Sequence, residues 1–296
     1  MKWWLKVIIG LVALVIIAFL GLSAYLGASA TRVEKIPVTL SPADLGLEFE
    51  DISFTSREDH LALYGWFLPA PGSEQVIIML HGAESNRSDP GVDMLGIAAE
   101  LVANGYNILM FDFRGHGESE GDRLSAGYHE RKDLWGAVDY VQERGFESIG
   151  VLGFSMGAAT ALMGAAGEPD IDCVVADSSF ADMAGIMERE FTERTGAPGF
   201  LMKPVLFMVK IMYGVDFAAV KPVENVPEIA PRPILFIHGE EDEFVPLDHA
   251  NRLHEASQNP DDILWIVPGA DHVKAYTTSP VEYIDKITAF FNNVLK

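Results

Sequence analysis

Gly153-Phe154-Ser155-Met156-Gly157 sets a hydroxyl between two glycines, at the junction of an apolar run, "SIGVLGF", and an Ala-rich stretch, "MGAATALMG". A serine at a sharp strand–turn–helix junction is placed for nucleophilic chemistry. The turn strains the backbone, and the flanking glycines remove side chains that would strike the adjoining strand and helix. The hydroxyl then stands clear at the sheet edge, where the N-terminus of the following helix favours developing negative charge. The structural alternative is a tight turn with a capping serine. A serine hydroxyl is a poor nucleophile until a base takes its proton. Of the eight histidines, His272 in "VPGADHVKAY" directly follows the last apolar run, so it can reach back over a sheet edge toward Ser155. Such a base needs a carboxylate to hold its tautomer and stabilise the imidazolium. "IHGEEDEFVP" offers four in succession: Glu240, Glu241, Asp242 and Glu243.

These residues need a scaffold that brings loops together. Short apolar runs at Val76–Leu80, Asn107–Phe113, Ser148–Phe154, Cys173–Ser178, Ile234–Gly239 and Ile263–Gly269 read as strands. Helical patterns lie between and after them, near Met94–Asn104, Lys132–Arg144, Met156–Ala166, Leu247–Ala256 and Pro280–Leu295. Apolar runs without polar alternation suit strands buried on both faces, and their alternation with helices predicts a mostly parallel sheet covered on both sides. In such sheets ligands bind beyond the carboxyl ends of the strands. Upstream, "LEFEDISFTS" and "LALYGWFLPA" read as an antiparallel pair. About fifty-five residues separate "CVVADSS" from "ILFIHG", too many for a plain connection. They are expected to form a small helical cap over about residues 180–230. Its apolar stretch from Phe200 to Tyr213 could line a substrate pocket, pack as an ordinary amphipathic helix, or dip into a membrane, since Lys203 and Lys210 flank apolar residues.

The chain has 296 residues, 49% hydrophobic, with a net charge of -22. Such a surface repels nucleic-acid phosphates. The lone Cys173 allows no internal disulfide and reads as core packing. The N-terminus differs from the rest, with no charge from Val7 to Ala30. As a helix that run spans roughly 36 Å, enough for a bilayer core. Residues 1–30 are therefore expected to be a membrane anchor, residues 31–47 a linker and residues 48–296 the main domain. Lys2 and Lys6, with Trp3 and Trp4 at interface positions, favour an N-terminus in the cytoplasm and the domain outside, although Arg32 and Lys35 weaken that asymmetry. A cleaved signal peptide, with "ASA" at Ala28–Ala30 as the cleavage site, is the alternative, which would leave the protein secreted.

Taken together, "MLHGAESNR", "FDFRGHGES", "GFSMG", "HGEEDEFVP" and "GADH", in this order from about Glu48 to the C-terminus, resemble the α/β-hydrolase superfamily in its serine-esterase branch, and in particular membrane-anchored bacterial members. The resemblance implies an α/β-hydrolase fold with Ser155 as nucleophile, Asp242 as acid and His272 as base, in the family's order of serine, acid, histidine. His238, Gly239, Asp242, Val245 and Pro246 fit the family's acid-loop pattern. It also implies an oxyanion hole of two backbone N–H groups, Met156 and Ala83, with Glu84 as the alternative to Ala83. Glu240, Glu241 and Glu243 then belong to the acidic surface. Asp177, at the end of "CVVADS", is the other acid position that the superfamily uses. The implied activity is hydrolysis of ester or thioester bonds on a small-molecule or acyl substrate, without cofactor or metal. A small-peptide peptidase of the same superfamily, without the large propeller of its oligopeptidases, and a non-catalytic binding protein are the alternatives. Dehalogenases and epoxide hydrolases need an aspartate where this chain has Ser155. His81 and His238 are expected to shape loops, Asp112, Arg114 and His116 to brace the active-site edge, and His249 and His254 to lie on the surface.

Overall fold

The computed structural model describes residues 2–296. Among these, eight strands form one sheet: β1 (Glu50–Thr55), β2 (Ala62–Leu68), β3 (Gln75–Leu80), β4 (Asn107–Phe111), β5 (Ser148–Phe154), β6 (Cys173–Asp177), β7 (Ile234–Gly239) and β8 (Ile263–Val267). Their spatial order is β1-β2-β4-β3-β5-β6-β7-β8. β1 pairs antiparallel with β2 and β2 antiparallel with β4, while every later pairing is parallel. The helices are α1 (Trp3–Thr31), α2 (Met94–Ala103), α3 (Glu130–Glu143), α4 (Met156–Gly167), α5 (Met183–Thr195), α6 (Met202–Tyr213), α7 (Pro222–Asn225), α8 (Asp248–Ser257), α9 (Ala275–Thr278) and α10 (Pro280–Val294). This is the α/β-hydrolase fold that the motifs imply.

The apolar runs are unbroken because both faces of the sheet are covered. In β5, Ile149 and Val151 face a cluster shared with Leu134, Val138 and Leu162 of α3 and α4. Leu152 and Phe154 face the opposite cluster, with Ile97 of α2 and Ile287 and Phe291 of α10. Each such buried aliphatic or aromatic side chain contributes about 1.5–3 kcal/mol relative to exposure. Cys173 lies in this second cluster, fully buried, as core packing requires.

The register decides where the carboxyl ends fall. Leu80 pairs with Gly153, Phe154 with Asp177, Asp177 with Ile237, and Gly239 with Val267. The loops that leave β3, β5, β6, β7 and β8 therefore start side by side along one sheet edge. β4 ends two residues before the apolar run does. Asp112 N–H still bonds to Tyr64 O in the β2 register, but Phe113 N–H turns to the His81 ring, so the chain leaves the ladder there.

α5, α6 and α7 make up the insertion between β6 and β7. α1 is, among the described residues, the one helix long and apolar enough to cross a membrane. Its end is tied to the domain. Leu124 N–H donates to Thr31 O at 2.8 Å and Val33 N–H to Asp122 O at 3.1 Å. Asn86 Nδ2 donates to Ile36 O and Pro37 O. The first residues of the expected linker thus run along the domain in bonded contact with it.

Candidate active site

Ser155 sits between the last residue of β5 and the first of α4, with φ 51° and ψ -112°. A non-glycine residue there carries about 1–3 kcal/mol of strain, which persists only where the surroundings impose it. They do so here. Ser155 N–H is held by Asp177 O at 2.9 Å, and Ser155 O accepts from Ala159 N–H at 3.0 Å. Glycine is required on both sides by close approach. A Cβ on Gly153 would run into Gly157 O, and one on Gly157 into Leu80 O and His81 O.

The β8–α9 loop carries His272 back over this edge. Its Nε2 lies 2.9 Å from Ser155 Oγ, and its Nδ1 lies 2.7 Å from Asp242 Oδ2. The geometry suits the tautomer in which Nδ1–H donates to the carboxylate and Nε2 accepts from the serine hydroxyl. Asp242 is buried, whereas Glu240, Glu241 and Glu243 are exposed. Its second oxygen, Oδ1, accepts from Val245 N–H at 2.7 Å. His238 stiffens the same turn, its Nε2–H donating to Val245 O at 2.7 Å. Phe244 sets its ring edge-on to the His272 imidazole, centroids 5.0 Å apart. No sequence pattern pointed to Phe244, because nothing in the local spacing says which way that loop side chain turns.

Asp177, the other candidate acid, lies apart from the imidazole nitrogens. It accepts from Ser178 Oγ and from Tyr283 Oη, each at 3.0 Å. Ser178 Oγ in turn accepts from Val273 N–H at 3.1 Å, so this cluster holds the backbone next to His272. Burial pushes the Asp177 carboxyl up to about 6, against the opposing pull of the Ser178 and Tyr283 hydrogen bonds. A raised carboxyl binds its proton more tightly in the folded state. Its contribution is fully present below the unfolded value near 3.8 and is lost as pH climbs through about 6. Asp177→Asn keeps the shape and removes the charge. The wild type is therefore expected to lose stability against Asp177→Asn between about pH 4 and 6, by on the order of 3 kcal/mol in total. Denaturant unfolding of both proteins across that range checks this; parallel pH profiles would refute it.

The loop after β3 supplies the opposite wall. Gly82, Ala83, Glu84 and Ser85 line the cavity above Ser155, and Glu84 adopts φ 53°. His81 anchors this loop from below. Its Nδ1–H donates to Gly82 O at 2.6 Å, and its Nε2 accepts from Phe113 N–H at 3.0 Å. Burial lowers the His81 pKa well below the ordinary value, so the ring stays neutral and keeps one donor and one acceptor. Met156 opens α4, where the first N–H groups have no partner within the helix. Asp112 accepts from Arg87 and from the N–H of Glu118, while Arg114 pairs with Asp133 and Asp59 and gives its carbonyl to His116 Nδ1–H. All three residues of that loop stay behind the cavity wall.

One expectation needs correction. His249 is buried, its Nδ1 accepting from Ala181 N–H at 3.0 Å, because α8 packs that residue against the start of the insertion. His254 is half-buried against the edge of Phe236. The stretch Phe200–Tyr213 contributes only Met202 to the cavity. The apolar lining comes instead from Met183, Ile186, Met187 and Phe191 of α5, with Phe244 beside His272. The cavity measures about 910 Å³, at the upper end of the roughly 300–1,000 Å³ usual for small-molecule sites. Among the described residues, no group of three or more His, Cys, Asp or Glu is placed to hold a metal ion.

Residues 96–296 match the model of the family described as "Prolyl oligopeptidase family". The Bacillus subtilis protein YqkD, described as uncharacterized, is 29% identical over 237 residues, covering 78% of this chain and 75% of that one. YfhR of Salmonella typhi, also described as uncharacterized, is 28% identical over 242 residues, covering 78% of this chain and 76% of its own. Among solved structures, the Pyrococcus furiosus esterase Pf2001 superposes with a TM-score of 0.76 at 29% identity, over 90% of this chain and 100% of that one.

Proposed function

Because the chain belongs to the prolyl oligopeptidase family of the α/β-hydrolase superfamily, we propose that it is a membrane-anchored serine hydrolase that cleaves carboxylic ester or thioester bonds through an acyl-Ser155 intermediate. One observation carries this reading: the hydrogen-bonded line from Ser155 through His272 to buried Asp242 opens into a cavity with apolar walls. His272 Nε2 takes the Ser155 proton as Oγ bonds to the carbonyl carbon. The carbonyl oxygen becomes an oxyanion held by the N–H groups of Met156 and Ala83, an interaction that in such sites is worth about 2.7–4 kcal/mol per donor. His272 then protonates the departing alcohol or thiol as the C–O or C–S bond breaks. Water, deprotonated by the same imidazole, attacks the acyl carbon and frees the acid and Ser155.

The identity of the structural neighbour Pf2001 as an esterase and the Met- and Phe-rich walls support esters over peptides. The family's name keeps a small-peptide peptidase as the second reading. α1 fits an uncleaved single-pass anchor with the N-terminus in the cytoplasm and the catalytic domain outside. The test is fluorophosphonate labelling followed by turnover of p-nitrophenyl esters of increasing chain length. Folded protein should label at Ser155 and turn over esters beyond acetate. Failure to label would overturn the reading. Labelling with turnover of short peptide amides alone would favour the peptidase.

A further inference from the structure

Beyond Met202 at its start, α6 presents two faces that the cavity does not use. Its buried residues are Val205 and Val209. They meet the last turns of α1, whose own buried residues are Ser23, Gly27 and Thr31, four apart on one face. The approach is close, since a Cβ on Gly27 would lie 2.6 Å from Val209 Cγ2 and 3.4 Å from Val205 O. Arg123 locks the pair at one end. Its Nη1 donates to Ala28 O at 2.6 Å and to Thr31 Oγ1 at 3.3 Å, and its guanidinium stacks 4.1 Å from the Tyr213 ring. α6 is therefore fixed to the end of the apolar helix rather than free beside it.

The opposite face is apolar and uncovered. Phe207 and Ile211, one turn apart on α6, are 58% and 62% exposed, and Phe200, in the short 3-10 turn Gly199–Leu201 that leads into the helix, is 60% exposed. Lys203 and Lys210 lie along one edge of it, Lys210 paired with Asp216 just beyond the helix, and α6 itself contains no acidic residue in a chain of net charge -22. A bilayer core of about 30 Å takes about 20 helical residues. Counted from Val7, just after Lys6, the core ends near residue 26, between Ser23 and Gly27. That is the depth at which α6 is packed. An apolar stripe with lysines along one edge at this depth has the makeup of a helix lying in a membrane interface, with the exposed Lys203 placed to reach outward to the headgroups.

We propose that the face formed by Phe200, Phe207 and Ile211 is a lipid-docking surface, seated at the headgroup–acyl boundary of the leaflet on the catalytic domain's side. Its occupant is bilayer lipid. Docking there holds the cavity mouth against the membrane, because Ala30 in the last turn of α1, Ile36 and Pro37 just beyond it, and Met202 at the start of α6 all belong to the cavity wall. The proposal rests on α1 spanning a membrane, as in the functional reading above, but not on the acyl-Ser155 chemistry.

The test uses the full chain in phosphatidylcholine vesicles, with Cys173→Ala so that an introduced cysteine is the single labelling site. An environment-sensitive fluorophore is placed at Phe207→Cys, at Ile211→Cys, and at Glu147→Cys as a control on the exposed loop before β5, at the other end of the sheet. Co-flotation with vesicles reports α1; unfolding temperature reports the fold of each variant. The expected result is flotation of all three. Probes at positions 207 and 211 should lose most of their emission when the lipid carries a nitroxide high on its acyl chain, and the probe at 147 should lose none. Flotation without quenching at 207 and 211 overturns the docking surface and leaves the anchor standing, whether water or a second copy of the chain covers the stripe. Failure to float overturns both the anchor and the docking surface, while fluorophosphonate labelling of Ser155 still decides the chemistry separately.

Discussion

Ser155→Ala is expected to lower ester turnover by about 10⁴–10⁶-fold, the range seen when a serine nucleophile is removed from a comparable triad. The loss should fall on turnover and leave the cavity intact, because only Oγ disappears. The backbone at φ 51° is held by the Asp177 and Ala159 bonds, neither of which uses the side chain. The same logic makes the effect non-additive. Once Ser155 is gone, His272 has no proton to accept, so Ser155→Ala with His272→Ala should be no slower than Ser155→Ala alone. The measurement is steady-state turnover of a p-nitrophenyl ester by wild type and both variants, with unfolding temperature as the check on the fold. Activity within tenfold of wild type in Ser155→Ala would remove the serine from the chemistry.

Asp242→Asn should lower turnover by about 10⁴-fold, as loss of the carboxylate does in a comparable triad, because the amide favours the wrong imidazole tautomer. The neighbouring substitution Glu241→Gln should leave turnover within a few-fold. The contrast follows from the bonds. Asp242 Oδ2 receives His272 Nδ1–H at 2.7 Å while Oδ1 is occupied by Val245 N–H, so an amide there has one oxygen for two donors. Glu241 is exposed and its side chain makes no such bond. Asp177→Asn belongs with Glu241→Gln in this comparison, since its carboxylate is engaged by Ser178 and Tyr283. Equal losses in Asp242→Asn and Asp177→Asn would mean that the imidazole is oriented by the pair. A loss confined to Asp177→Asn would move the acid to β6.

Much of this site was legible in the chain. The glycine pair around Ser155 appears in the sequence because two close backbone approaches permit no other residue, and a steric demand of that kind shows without any long-range information. The unbroken apolar runs showed strands covered on both faces, and β3 through β8 follow them to within two residues at either end. His272 was legible because a histidine just past the last strand has only one sheet edge to reach over. That Asp242, of the four carboxylates in a row, is the one to meet His272 was legible only through resemblance, since the four have the same charge and nearly the same local pattern.

What the sequence determined by itself, then, was the type and order of the elements and the turn that carries Ser155, all of which depend on periodicity and steric limits within a few residues. The tertiary structure alone decided which carboxylate faces the imidazole, that His249 is buried, and that α5 rather than α6 lines the cavity while α6 clasps α1. The reason is distance along the chain. The bonds that select these outcomes join residues 30 positions apart at Asp242–His272, 117 at Ser155–His272 and 68 at Ala181–His249. An amphipathic helix announces that it has a buried face, but what covers that face is set by where the rest of the fold places it.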